Sequence, residues 1–297
     1  MTARPPLFDA SLFAMRMPRA ARLACKRAGS DFLLTHARDD LRARLAAISR
    51  PFPAVVDLFS PGGGAAEILA APGRTIISAK LPWQDEPANI RTDFAALPFA
   101  DASLDLVVSL LALQWCEDLP GLLAQVRRAL RPDGLFLACF VGGRSLHELR
   151  AAFAQAEAET TGGASPRVIP FADVRDAGAL LQRAGLALPV ADVDTLVVRF
   201  ASIFNLMADL RAMGAANPLT ERARKPLRRA TLFRAAEIYA ERFADPDGRI
   251  RATFDLVWLS GWAPHASQQK PLAPGSAKHS LAEALGATEG ARPRQDG

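Results

Sequence analysis

The sequence predicts an α/β domain built on a largely parallel sheet with helices on both faces. Three observations carry this expectation. Short β-prone runs alternate with stretches of helical apolar spacing. A strand, a glycine-rich turn and a helix follow one another directly over 54–70. No apolar run approaches the roughly 20 residues that a membrane-spanning helix needs. Strand–helix alternation implies βαβ units, whose crossovers cover both faces of a sheet. At 297 residues with 50% hydrophobic content, the chain suffices for one large, elaborated domain.

Residues 1–50 read as a helical lead-in. The first 30 carry Arg4, Arg16, Arg19, Arg22, Lys26 and Arg27 against the single acid Asp9. Amphipathic leading helices and organelle transit peptides share that composition, and the first is the favoured reading. No apolar stretch follows the basic residues as a secretory signal requires. Over 30–48, Phe32, Leu33, Leu34, Leu41 and Leu45 keep helical spacing until Pro51 and Pro53 end the helix. Ala54–Leu58 is the first strand, Ser60-Pro61-Gly62-Gly63-Gly64 the turn, and 65–70 the next helix. Further strands are expected at 75–78 and Leu104–Leu110, a helix at 119–130, and a Pro132-Asp133-Gly134 turn into a strand at 135–140.

The main domain is expected to run over 51–265. Its second half holds helices at 146–160 and 174–184, a strand at 192–200 and a final strand at 252–260. Residues 202–243 read as mostly helical, broken at Asn217-Pro218 and Pro226. That stretch exceeds what a connection needs, so 202–249 is read as a helical cap inserted before the last strand. Pro, Gly, Ser and charge dominate 266–297, which is expected to be disordered.

A formal charge of +5 favours acidic partners mildly but does not imply nucleic acid, and no nucleic-acid-binding signature is visible. Cys25, Cys116 and Cys139 are widely spaced without a CxxC, which suits a reducing compartment and suggests no metal site. No His/Asp/Glu cluster offers independent support for an oxygenase metal.

Ligands of open parallel sheets bind beyond the carboxyl ends of the strands. Asp57 and the turn with Gly62 and Gly63 stand at the first such end, where glycines let a backbone approach a ligand closely. Taken alone, such a turn is equally well a tight connection. Next come Asp93, Phe94, Leu97-Pro98-Phe99, Asp101, Asp105 and Leu113-Gln114-Trp115. Asp93 offers an acceptor to an adenine amino group, Leu97 and Phe99 an apolar wall, and 110–115 a floor. On its own, Asp93 reads as a turn cap.

In that ordered series, 93–140 resembles a class I S-adenosylmethionine (SAM)-dependent methyltransferase, which implies a Rossmann-like sheet. The segment Leu111-Ala112-Leu113-Gln114-Trp115-Cys116 resembles two families. One is the malonyl-acyl-carrier-protein methyltransferase of biotin synthesis. The other is the respiratory complex I assembly-factor family, whose mitochondrial member is an arginine hydroxylase of a complex I subunit. Gly142-Gly143, Glu148-Leu149-Arg150, Ser165-Pro166-Arg167, Pro170-Phe171, Met213-Gly214, Asn217 and Gly261-Trp262 resemble the assembly factors, and the likeness runs from Phe8 to Leu285. It implies SAM held by Asp57, Gly62, Gly63, Asp93, Phe94, Leu113 and Trp115. It also implies a protein partner, a complex I subunit, modified by methylation or arginine hydroxylation.

Two departures count against the cofactor. The family turn reads Asp-x-Gly-x-Gly-x-Gly; aligned on Asp57, this chain has Phe59, Pro61 and Gly63. The family also expects an acid near the end of the second strand to grip the ribose hydroxyls. Lys80 stands there instead, with Asp85 and Glu86 several residues late. Each buried hydrogen bond lost is worth about 1–3 kcal/mol. Two alternatives therefore stay open: a non-catalytic assembly factor with a degenerate SAM site, and an acyl-carrier or small-molecule methyltransferase.

No catalytic residue is assigned, since in-line methyl transfer draws much of its rate from positioning. His147 reads as an exposed helix residue, and Trp258 and Trp262 as core. Arg222, Arg224, Lys225, Arg228, Arg229 and Arg234 read as a solvated face whose functional use is docking an acidic protein. The expected location is cytoplasmic, without membrane integration, reaching the inner membrane only through a partner.

Overall fold

The computed structural model describes residues 5–269. Seven strands form one sheet in the order β3-β2-β1-β4-β5-β7-β6. They are β1 (Ala54–Leu58), β2 (Thr75–Lys80), β3 (Ile90–Arg91), β4 (Leu104–Leu110), β5 (Leu130–Gly142), β6 (Ala187–Phe200) and β7 (Ile250–Trp262). Pairings among β1 to β5 are parallel, and β7 runs antiparallel between β5 and β6. The chain order reverses between β1 and β4, so the carboxyl ends of β1, β2 and β4 converge on one crevice.

The helices are α1 (Ala10–Ala24), α2 (Phe32–Ala46), α3 (Ala66–Leu69), α4 (Leu119–Ala129), α5 (His147–Thr161), α6 (Val174–Arg183), α7 (Ile203–Ala212) and α8 (Arg229–Phe243). Successive strand residues face opposite sides. Val55, Leu106, Leu137 and Leu256 enter one core layer with α2, α5, α7 and α8. Val56, Val107, Phe136 and Val257 enter the other with α4 and α6. A third, aromatic cluster gathers Phe8, Phe13, Trp83, Trp115 and Phe171.

Local chemistry sets several boundaries. Asp9, Asp118, Asp173 and Ser202 cap α1, α4, α6 and α7 by accepting backbone N–H bonds. The helix expected at 65–70 is shortened to α3. Gly62, Gly63 and Gly64 all hold positive φ and delay its start, while Pro72 disfavours helical backbone just beyond its end. The strand expected at 192–200 begins earlier, at Ala187. Pro189 fits because β6 is an edge strand with a register shift between Ala187 and Val190.

Residues 202–243 are not continuously helical. Between α7 and α8 the chain crosses toward the N-terminal segment, where Phe8 pairs with Leu219 and Arg222 meets Asp9 at 3.1 Å. The lead-in is docked as well: Phe32 of α2 meets Phe254 edge-on at 5.6 Å, and Arg44 lies 4.4 Å over the Trp258 ring. Trp258 is buried as expected, whereas Trp262 is partly exposed. The compact unit ends at Pro264. Of the tail expected at 266–297, residues 270–297 lie outside the described residues, and 265–268 form a turn closed by Gln268 N to His265 O.

Phe254 lies between the sheet and α2, fully buried. Phe254→Ala is expected to lower unfolding free energy by about 3–5 kcal/mol, the range for a large core deletion. Urea denaturation followed by far-UV circular dichroism checks it.

Candidate functional site

The crevice begins where β1 ends. Phe59, the next residue, has φ +64°, a left-handed backbone that favours glycine. An L-residue there costs about 1–2 kcal/mol. Burying a phenylalanine side chain contributes about 1.5–3 kcal/mol in return, and the Phe59 ring is 0% exposed. It meets Phe94 edge-on at 4.9 Å. Its N–H donates to Ala79 O at 2.8 Å, and its carbonyl accepts from Gln84 Nε2 at 2.8 Å. Gln84 also accepts from Leu81 N at 2.7 Å, so one buried amide ties the end of β1 to the end of β2.

Beneath Phe59 lies an ion pair. Asp57 is buried on β1, and Lys80, 1% exposed at the end of β2, places Nζ 3.4 Å from Asp57 Oδ2. The same ammonium donates to Ser60 O. Burial pushes the Asp57 carboxyl above the usual carboxylate range, and the attraction of Lys80 only partly opposes this. Glycine placement follows from the chain's own contacts. A Cβ on Gly64 would collide with the Asp57 carboxylate, and one on Gly62 would stand 3.0 Å from Leu34 Cδ2. Gly63 has open space. Glu86, the late acid, reaches the turn and accepts from Gly62 N at 3.0 Å. Buried acceptors without partners among the described residues include Asp57 Oδ1, Glu86 Oε2, Ser109 Oγ and Gln114 Oε1.

The structure brings some expected residues together and separates others. Phe94 packs on Phe59, and Leu113 is buried in the same cluster. Asp93 is exposed, and its Oδ1 accepts from Ala95 N at 2.9 Å and Ala96 N at 3.2 Å, the turn cap that its type also allows. Trp115 faces α1: Phe13 meets it edge-on at 5.1 Å and stacks on Trp83 at 4.9 Å. Sequence reasoning missed Phe13, Trp83 and Gln84. Their contacts cross between α1, the segment after β2 and the segment after β4, and no local pattern marks them.

Next to this crevice a slot of about 80 Å³ opens between the sheet and the cap, lined by Gln114, Trp115, Val141, Phe171, Met213 and Ala215 among others. Its wall at 165–168 is anchored on Glu157, which accepts from Ser165 N at 2.6 Å and pairs with Arg167. Burial raises the Glu157 carboxyl, but the Ser165 and Arg167 donors outweigh it and hold it below its ordinary range.

A second cavity, of about 300 Å³, lies beside Arg144, His147, Glu148 and Thr253. There the half-buried His147 sets Nδ1 3.1 Å from Arg144 O and 3.3 Å from Glu148 Oε2. Burial pushes the Cys116 thiol up to about 12, which leaves no thiolate nucleophile at neutral pH. Within the basic run, Arg222 and Arg234 are paired with acids, while Arg224, Lys225, Arg228 and Arg229 are exposed and form no ion pair among the described residues. Among the described residues no group of three or more His, Cys, Asp or Glu could hold a metal ion. No described helix is long and apolar enough to cross a membrane.

With this geometry in hand, the chain can be compared with known proteins. Residues 72–138 match a family model described as a methyltransferase domain. The arginine-hydroxylase NDUFAF5, mitochondrial, of Danio rerio is 35% identical over 266 residues, covering 85% of this chain and 82% of that protein. The Homo sapiens protein of the same name is 35% identical, covering 85% of this chain and 76% of its own length. The chain belongs to the NDUFAF5 family.

A malonyl-[acyl-carrier protein] O-methyltransferase of Halorhodospira halophila is 36% identical over 194 residues, 65% of this chain and 64% of that protein. Among solved structures, the YcgJ protein from Bacillus subtilis superposes with a TM-score of 0.51 at 13% identity, covering 78% of this chain and 100% of that one. A Bacillus halodurans protein gives 0.50 at 15%, covering 76% and 98%. These two likenesses establish the fold: a Rossmann-like methyltransferase sheet.

Two stability tests follow. Lys80→Met strands a buried carboxylate and is expected to lose about 3–5 kcal/mol. Asp57 has a raised folded pKa, so its contribution is fully present below its unfolded value and lost as pH rises through the raised one. The Lys80→Met deficit should therefore shrink on acidification, and Asp57→Asn/Lys80→Met should recover most of it in urea titrations. Glu157 has the opposite sign: its contribution is present above the ordinary 4.5 and lost as pH falls through its lowered value. Glu157→Gln is expected to lose about 1–3 kcal/mol at pH 7, with the difference from native vanishing in acid.

Proposed function

We propose that this chain acts on a protein partner during assembly of respiratory complex I, engaging a subunit at the slot beneath the cap. One observation carries the reading: family similarity extends over 85% of the chain, well beyond the 72–138 methyltransferase match. The slot wall and the cap both lie outside that match. An acyl-carrier or small-molecule methyltransferase is less well supported, since the Halorhodospira enzyme matches only 65% of the chain.

Two relatives' names supply two reactions, arginine hydroxylation and methyl transfer. Neither has a general base assigned among these residues. Phe59 and Lys80 favour the third form of the reading, a factor that binds its client without SAM chemistry. The NDUFAF5 relatives are named as mitochondrial; for this chain we place the work in the compartment where complex I subunits are assembled, with contact to the membrane made through the client.

Deleting the gene tests the proposal. The expected outcome is loss of most NADH:quinone activity and accumulation of complex I subassemblies on native gels, both restored by the native gene. Ala215→Trp, which fills the slot, should fail to restore them while keeping the native circular dichroism spectrum. Fully assembled, active complex I in the deletion strain would falsify the proposal.

A further inference from the structure

At the ends of β1 and β2 the chain places its own side chains where the family resemblance seats the cofactor. Phe59 takes the first glycine position of the turn, is buried, and packs on Phe94. Lys80 takes the position of the ribose-binding acid, is buried, and is committed to Asp57 and Ser60 O. We infer that this cleft has become part of the protein core, so that the chain folds and engages its client without SAM. The inference deepens the reading above and concerns the same end of the sheet.

The chemistry of the donor set argues for it. Ribose hydroxyls are gripped by an acceptor, and an ammonium has three donors and no acceptor. SAM carries a sulfonium, which a buried ammonium beside it would repel. The acids that reach the turn are engaged within the chain, Asp57 by Lys80 and Glu86 by Gly62 N. Gln84 closes the gap from a third side, with its amide nitrogen on Phe59 O and its carbonyl on Leu81 N.

The glycines agree. Gly64 is required by the approach of the turn to Asp57, and Gly62 donates to Glu86, so both serve contacts within the chain. Asp57 Oδ1, Glu86 Oε2, Ser109 Oγ and Gln114 Oε1 are left without partners among the described residues, each a single atom that one water satisfies without moving Phe59. Admitting SAM requires more. The Phe59 ring must leave its pocket while its backbone stays tied to Ala79 and Gln84.

Isothermal titration of the full-length native protein with SAM tests this. The expected result is no saturable heat up to about 1 mM, roughly three decades weaker than a micromolar site, and no SAM-induced shift in thermal midpoint. Saturable binding below about 1 mM overturns the inference. In a second arm, Phe59→Gly/Lys80→Asp restores the family residue types at these two positions and leaves Pro61, and the expected result is a gain in affinity of at least about tenfold. A folded double variant with no gain overturns the assignment of these two side chains as the block. If the variant does not fold, the native titration decides alone. Native SAM binding, with complex I lost on gene deletion, sinks this inference and leaves the client reading standing. No SAM binding, with complex I intact, does the reverse.

Discussion

Asp57 and Lys80 meet where β1 and β2 end, and much of the crevice is arranged around that contact. A carboxylate in the middle of a buried parallel sheet needs a partner, because an isolated charge there is strongly disfavoured. Lys80 supplies it from the neighbouring strand and also holds the Ser60 carbonyl. With the turn drawn down in this way, Gly64 lies against Asp57 and Phe59 is held in left-handed backbone with its ring buried. Gln84 then joins the two strand ends. Changing one member alters the environment of all the others, as in any buried polar network.

Around that knot the molecule builds two kinds of surface. On one side, α1 and the residues just before it bring Phe13 and Phe8 against Trp83 and Trp115, an aromatic closure over the ends of the strands. On the other, the segment after α5, fixed by Glu157, and the loop after α7 leave a small apolar slot. The cap is held to the N-terminal segment by the Phe8–Leu219 bridge and the Asp9–Arg222 pair. The lead-in helices are therefore part of the architecture of the site. The exposed aromatic pair on the cap, Phe204 and Phe233 at 44% and 56%, stands apart from these contacts.

Much of the fold was legible in the sequence. The apolar strand at Ala54–Leu58, the glycine turn after it and the run at Leu104–Leu110 are patterns of short range, set by the two-residue period of a strand and by turn chemistry. Elements failed where a distant contact overrode the local pattern. The strand expected at 192–200 starts earlier, at Ala187, and takes in Pro189, since an edge strand tolerates a missing donor. The cap read as mostly helical with breaks at Asn217-Pro218 and Pro226, and the whole of 213–228 is drawn out to meet the N-terminal segment. Asp93 was readable as an adenine acceptor or a turn cap, and its Oδ1 caps the turn through the Ala95 and Ala96 amides, a contact compatible with either role.

By itself the sequence determined the class of fold, the family resemblance and the positions, Phe59, Pro61 and Lys80, at which this chain departs from the family pattern. These are matters of residue type in order along the chain. Only the tertiary structure decided what the departures do. Whether a phenylalanine after β1 blocks a cleft or turns outward depends on the pocket that Phe94 offers it, 35 positions away in sequence. Whether a lysine at the end of β2 reaches solvent or a carboxylate depends on the register of β1 against β2, which sets Asp57 beside Ser78 and leaves Lys80 just beyond the pairing. Strand pairing and burial join residues that the chain keeps apart, and the physical meaning of both side chains lies in those partners.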